Sequence, residues 1–218
     1  MSPKLLQRLI IGLSLALCVG VVSLLAVNQY RKSVERDREG KGGVVGPTIF
    51  DQPLTLKPFT LTAQNGQPFD SKQLQGKVWV ASFIYTRCPT VCPRVLAQTG
   101  AIQALLRQLP QWENIALVSI TVDPEYDKPA VLAQAAQTFN ADPDHWHFLT
   151  GDDTLSIISG KEGFRQAVGE NTPGDAMAIF HSSKYVLVDQ QHRIRGFYDA
   201  LEVEARKELI RDVKRLFE

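Results

Sequence analysis

The chain has 218 residues, is 44% hydrophobic and 22% charged, and carries a formal net charge of +1. This length suits one ordinary domain plus an extension, the composition excludes wholesale disorder, and the near-neutral total gives no footing for a nucleic-acid binder. The balance is uneven, however: residues 1–43 hold seven Lys/Arg against three Asp/Glu, which leaves the remainder mildly acidic.

A short N-terminal segment, 1–8, precedes Leu9 to Val27, which run for 19 positions without a charge. At 1.5 Å per residue a helix of that length reaches about 28 Å, close to the hydrocarbon thickness of a bilayer. The run is longer than the apolar region of a signal peptide, and its exit, AVNQYRK, lacks an A-x-A cleavage pattern. Residues 9–27 therefore read as an uncleaved transmembrane helix. Cys18 lies within it, where the bulky Leu17 before it argues against acylation and a buried apolar thiol is the simpler reading. Residues 28–46 are polar, then Gly-rich, and read as a tether. Arg31, Lys32, Arg36, Arg38 and Lys41 on this side of the anchor outnumber Lys4 and Arg8. By the positive-inside rule that count favours a cytoplasmic body.

A folded domain is expected over 47–218. FTLTAQNGQPFD alternates about Asn65-Gly66, a hairpin signal. KVWVASFIY, Lys77 to Tyr85, is a buried central strand, and YTRCPTVCP follows it directly. Val95, Leu96, Thr99, Ile102, Leu105, Leu106 and Leu109 then recur at helical spacing. Ile115 to Val122 is a second buried strand, Pro129 to Phe139 a helix, and HFLTG a short strand or loop. Asp153 or Thr154 is placed to cap a helix through Ala167. KYVLVD and RIRGFYD read as an antiparallel pair about a Gln190–His192 turn, and EVEARKELIRDVKRLFE as a closing amphipathic helix. The order gives a mixed central sheet flanked by helices, an α/β layout that fits a thioredoxin-like domain.

Two cysteines four positions apart, Cys88 and Cys92, sit where a central strand feeds a helix. They could form a redox disulfide, share a metal, or act as attacking and resolving thiols. Pro93 suits a first helical turn, so the helix N-terminus is expected to lower the pKa of thiolates there. Chance core filler is the bland alternative, and Pro89 and Pro93 argue against it by setting both thiols at a turn. C-x-x-x-C is longer than the usual oxidoreductase C-x-x-C and also opens two sulfurs around a soft metal. Of the four histidines, His192 belongs to a turn and is expected to be exposed. His145 and His147 form an H-x-H that reads as a local pair rather than a site. His181 precedes a late strand that would face the cysteine turn; on position alone it is either a third ligand or a satisfied loop residue.

CPTVCP after an apolar strand, TVDPEYD after the second, WHFLTG, and HSSKYVLVD together resemble the Sco/SenC family of copper chaperones. The resemblance spans about Pro47 to the C-terminus. It implies a thioredoxin-like domain held at a membrane, binding copper as Cu(I) and also Cu(II) through two Cys and one His, here Cys88, Cys92 and His181. It implies help in loading the binuclear copper centre of cytochrome c oxidase subunit II, by metal delivery, thiol reduction or both, with other copper chaperones or thiol oxidoreductases as further partners. It also favours export, to the periplasm of a bacterial inner membrane, against the Lys/Arg count. The N-terminus lacks the long Arg- and Ser-rich character of a mitochondrial transit peptide. Asp123 matches the family's acidic position, as a partner or second-layer contact or as a cap on the turn after it. Met177 reads as core rather than ligand.

Four rivals remain. A metal-free thiol-disulfide oxidoreductase would place a proline where His181 stands. A peroxiredoxin needs Thr-x-x-Cys-Pro, but Thr86 is two residues before Cys88. Structural zinc wants four protein ligands, more than this pattern supplies. A purely structural anchored domain leaves the cysteine pair unexplained.

Overall fold

The computed structural model describes Gln29 and residues 54–170 and 179–218. The expected anchor, most of the tether and Met177 lie outside these residues. Among the described residues no helix is long and apolar enough to cross a membrane. The chain divides into two units, Met1–Gly43 and Val44–Glu218, and the second carries the architecture that follows.

The Asn65-Gly66 turn joins β1 (Thr60–Ala63) to β2 (Pro68–Asp70) as an antiparallel hairpin. Gly66 turns at φ 78°, a conformation costly for residues with a Cβ. The two apolar runs form β3 (Val78–Ile84) and β4 (Ile115–Thr121), buried at every position. Between them lies α1 (Val91–Leu106), and after β4 come α2 (Pro129–Thr138) and β5 (Trp146–Thr150). β8 (Lys184–Val188) and β9 (Ile194–Asp199) form the expected late pair, and α4 (Val203–Arg215) closes the chain. The main sheet has seven strands in the order β2-β1-β5-β4-β3-β8-β9. β3, β4 and β5 run parallel and the other pairings are antiparallel, so the sheet is mixed.

Burial on both faces explains why β3 and β4 are continuous apolar runs rather than alternating ones. Each fully buried Val, Leu, Ile or Phe contributes roughly 1.5–3 kcal/mol. The one polar pair inside them is matched: Ser82 and Ser119 hydroxyls lie 2.9 Å apart, and the Trp146 indole N–H donates to Ser119 Oγ at 3.0 Å.

The helix expected through Ala167 stops early. α3 spans only Thr154–Ser159, and the Asp153 side chain makes no capping bond. Gly160 and Gly163 press against the carbonyls of Ser156 and Ile157 with no room for a Cβ, and Phe164 N–H returns to Ile157 O at 2.9 Å. This fold-back drives Phe164 into the core, edge-on to Trp79 and Phe83 at 5.8 and 5.1 Å. Beyond it is an element with no sequence forecast, a two-stranded ribbon of β6 (Val168–Glu170) and β7 (Ile179–His181).

Register positions the functional end. β3 and β4 are paired without offset from Val78↔Ile115 to Ile84↔Thr121, and Val122 N–H then donates to Ile84 O at 2.8 Å. The turn leaving β3 therefore lies beside the loop leaving β4. β8 runs antiparallel to β3, with Ala81 opposite Val186, so its first residues approach the same end.

Candidate metal centre

Cys88 lies in the turn after β3, its N–H donating to Tyr85 O at 3.2 Å. Cys92 is the second residue of α1, with Pro93 third, as expected of a proline in a first turn. Both cysteines are free, and they are only 3% and 1% exposed. The sulfurs thus sit beneath the surface rather than on an open turn. Cys92 N–H points at Cys88 Sγ at 3.4 Å, and Tyr85 N–H at Cys92 Sγ at 3.5 Å.

His181 ends β7 and reaches Cys92. Its Nε2 is 3.3 Å from Cys92 Sγ, and its Nδ1 is 3.1 Å from Ser182 O. A carbonyl only accepts, so Nδ1 carries the proton and Nε2 offers its lone pair to the Cys92 S–H. Burial pushes the imidazole below its ordinary 6.5, against the opposing effect of the Ser182 carbonyl. Among the described residues no three His, Cys, Asp or Glu side chains already form a metal cage. Cys92 and His181 are in direct contact, and Cys88 joins them through the Cys92 backbone.

The helix N-terminus does not treat the two thiols alike, as the sequence suggested it would. Burial raises Cys88, but N–H groups of Cys92, Thr90 and Val91 outweigh it and leave the thiol below its ordinary 9.0. Cys92 is pushed up, chiefly by burial, and the neighbouring Cys88 sulfur adds to this. Proximity to a helix start lowers a thiol only when the N–H groups point at its sulfur.

Residues of the loop after β4 hold the turn. Asp127 is fully buried and accepts from Thr86 N–H at 3.1 Å, from the Thr86 hydroxyl, and from the Thr121 hydroxyl at 2.6 Å. Asp123 receives Arg87 through Nε at 3.0 Å and Nη2 at 2.5 Å, and the same guanidinium lies 4.4 Å over the half-exposed Tyr126 ring. The Asp123 side chain therefore does not cap its own turn; it fixes the residue before Cys88. Sequence reasoning missed Asp127, Arg87 and Tyr85. The acidic pair in TVDPEYD was the available signal, but it becomes readable only once the parallel register sets that loop against TRC.

The remaining histidines stand apart. His145 is buried, stacks on Trp112 at 3.9 Å and has Nδ1 3.0 Å from Ile115 O. His147 packs against Phe69 at 4.9 Å, and burial pushes it down to about 4. His192, expected in solvent, is half-buried at φ 59° with its ring 6.1 Å from Trp79. Lys128 stays at the surface beside Glu125.

A mixed sheet whose parallel strand ends deliver a cysteine turn into a helix defines a thioredoxin-like protein, and solved structures agree on that class. The SCO1/SenC family profile matches residues 49–218, and the chain belongs to that family. Over 161 residues it is 33% identical to the SCO1 protein homolog of Bacillus subtilis (strain 168), covering 73% of this chain and 81% of that one. It is similar to Bradyrhizobium japonicum ScoI, solved with copper bound, at TM-score 0.61 and 27% identity over 74% of this chain and 99% of that one. It is also similar to BsSco, described with a disulfide switch and as a member of the Sco family of cytochrome c oxidase assembly proteins. There the TM-score is 0.63 and the identity 30%, over 78% of this chain and 98% of that one.

Proposed function

We propose that the protein is a membrane-anchored copper metallochaperone. It binds copper through Cys88, Cys92 and His181 and assists assembly of the binuclear copper centre of cytochrome c oxidase subunit II. One observation carries the ligand set: a buried Cys92 Sγ 3.3 Å from an imidazole nitrogen whose lone pair faces it, with Cys88 Sγ held by the Cys92 N–H. Two thiolates and an imidazole suit soft, low-coordinate Cu(I). The proton between Cys92 Sγ and His181 Nε2 occupies the place that the cargo takes, so loading is a proton-for-metal exchange. The family and its copper-bound relative support the cargo. Residues 9–27 are the anchor, and the domain faces the periplasm of a bacterial inner membrane.

The decisive experiment titrates Cu(I), anaerobically and against a chromophoric chelator, into the reduced full chain in detergent. A Cys18→Ser background removes the third thiol. One tightly held copper per chain is expected, lost in Cys88→Ser and Cys92→Ser and weakened in His181→Ala. Unchanged affinity in all three variants overturns the ligand assignment.

A second reading, thiol reduction of a copper-site partner without carriage of the metal, is favoured by the split between the thiols. Cys88 is lowered and Cys92 raised, which is the arrangement of an attacking and a resolving thiol. No tight copper, together with a readily cycled disulfide, selects this reading.

A further inference from the structure

A groove of about 510 Å³ lies between the β1–β2 hairpin, α2 and β5. In the sheet, β4 stands between β5 and β3, the strand that feeds the cysteine turn. The chain is 22% charged, yet none of the residues lining this groove carries a charge at neutral pH. Side-chain amides take their place. Gln67 comes from the hairpin turn and Gln73 from the single helical turn Ser71–Leu74, while Gln137 ends α2 and Asn140 follows it. All four are exposed, and none of their side chains makes a hydrogen bond among the described residues. Gln64, also in the groove, differs because β5 engages both its ends. Phe148 N–H donates to its Oε1 at 2.9 Å, and its Nε2 donates to Trp146 O at 3.4 Å. His147 completes the lining, its ring 4.9 Å from that of buried Phe69 and tilted 46° to it. The imidazole nitrogens have no hydrogen-bond partner among the described residues. Burial pushes the ring down to about 4, so at pH 7 one nitrogen donates and the other accepts.

We infer that this groove binds a neutral saccharide, at a site separate from the proposed metal centre. A sugar hydroxyl both donates and accepts, and so does each free amide and the neutral imidazole, so such a lining satisfies a ring of hydroxyls from several sides. A charged ligand would leave water for walls that offer it no counter-charge. The volume falls in the range of small-molecule sites. A peptide has less to hold. β2 is the edge strand beside the groove, but it is three residues long and begins with Pro68, which has no N–H to give an added strand. The register of α2 keeps the two sites apart: Ala133, Ala136 and Gln137 line this groove, whereas Val131, Gln134 and Ala135 line the cleft beside Cys92. Saccharide binding therefore needs neither copper nor the cysteines.

The test uses the full chain in phosphatidylcholine nanodiscs, because glycoside detergents would compete for the groove. Glucose, maltotriose and chitotriose are titrated in turn, and saturation-transfer NMR reads the binding. Saturable transfer is expected, with a dissociation constant on the order of 1 mM. Equal binding of glucose assigns a free sugar and preference for a trisaccharide assigns a glycan chain; both bear the inference out. Gln73→Ala combined with Gln137→Ala removes an amide from two walls and is expected to weaken binding at least tenfold. Both side chains are exposed and unbonded among the described residues, so the double variant should melt with the unmutated chain. Gln134→Ala, on the other side of α2, is the control and leaves binding in place. No saturable transfer to any of the sugars overturns the inference. Binding that survives the double variant overturns it too, since the sugar then sits elsewhere. Binding of an oligoproline peptide with none of the saccharides overturns it in favour of a peptide site.

Discussion

At the scale of single residues, the two sulfurs differ by what points at them. The Cys92 amide points at Cys88 Sγ and the Thr90 and Val91 amides further favour its thiolate, while Cys92 has one distant amide, an imidazole lone pair and little solvent. The difference gives the proposed copper site a pH signature. Binding a metal through thiolates releases their protons. Cys88, held below 9.0, gives up its proton first, and Cys92, raised by burial, keeps its proton longest. His181, held below 6.5, is neutral at pH 7 and releases none. Where both thiols are protonated two protons are displaced, and apparent Cu(I) affinity should climb about a hundredfold per pH unit. Above the range where Cys88 titrates one remains, and the slope should fall to about tenfold. Competition titrations across neutral and mildly alkaline pH measure the slope. A flat profile means that Cys92 does not bind as a thiolate.

Elements set the precision of the site. The unshifted β3–β4 pairing brings Thr86 and Arg87 against Asp127 and Asp123, and the serine pair within those strands is the polar feature that the pairing must satisfy. Ser119→Ala removes the acceptor of the Trp146 indole and strands that N–H in the core. A loss of about 1–3 kcal/mol is expected in denaturant unfolding, with the midpoint shifted and the slope kept. A loss below about 0.3 kcal/mol would mean the indole finds another partner.

Elements also show where sequence reading reaches its limit. Continuous apolar runs, a hairpin at Asn65-Gly66 and a proline in the first turn of α1 are local signals, and the corresponding elements stand as expected. The failures are mostly tertiary. Gly160 after Ser159 was a local stop signal passed over; what nothing local in Leu155 to Ala167 says is that Phe164 is claimed by Trp79 and Phe83. The ribbon of β6 and β7 pairs segments separated along the chain, so His181 looked like a loop residue. Cys88 and Cys92 stood out by residue type and spacing, and His181 entered the proposed set through the family resemblance; the structure places His181 Nε2 beside Cys92 Sγ. The unequal thiols were not legible, since they depend on where the surrounding amides point.

At the scale of the molecule, the proposed anchor and the Lys/Arg count make opposing demands. Residues 9–27 have the length to span a bilayer, and the flanking charges favour a cytoplasmic body, whereas a copper carrier for an oxidase centre belongs outside. The acidic residues Glu35, Asp37 and Glu39 intersperse the basic cluster beyond the anchor. In a bacterial host the chain is expected to stay with membranes through alkaline carbonate washing, and its domain to be cut by protease in spheroplasts but not in intact cells. Protection in spheroplasts would place the domain in the cytoplasm and remove the oxidase from its reach.

The two cysteines hang from the seven-stranded sheet and α1, whereas His181 is carried by a ribbon of three residue pairs outside that sheet. Two strands alone hold together weakly in water. With the proposed ligand set, the grip on the cargo is lopsided: two fingers are mounted on the palm and the third on a thin, separate digit. An arriving acceptor need not pry at the sulfurs. It has only to slip its own ligand in where the imidazole lets go, and the direction of hand-over is then written into which support gives way first.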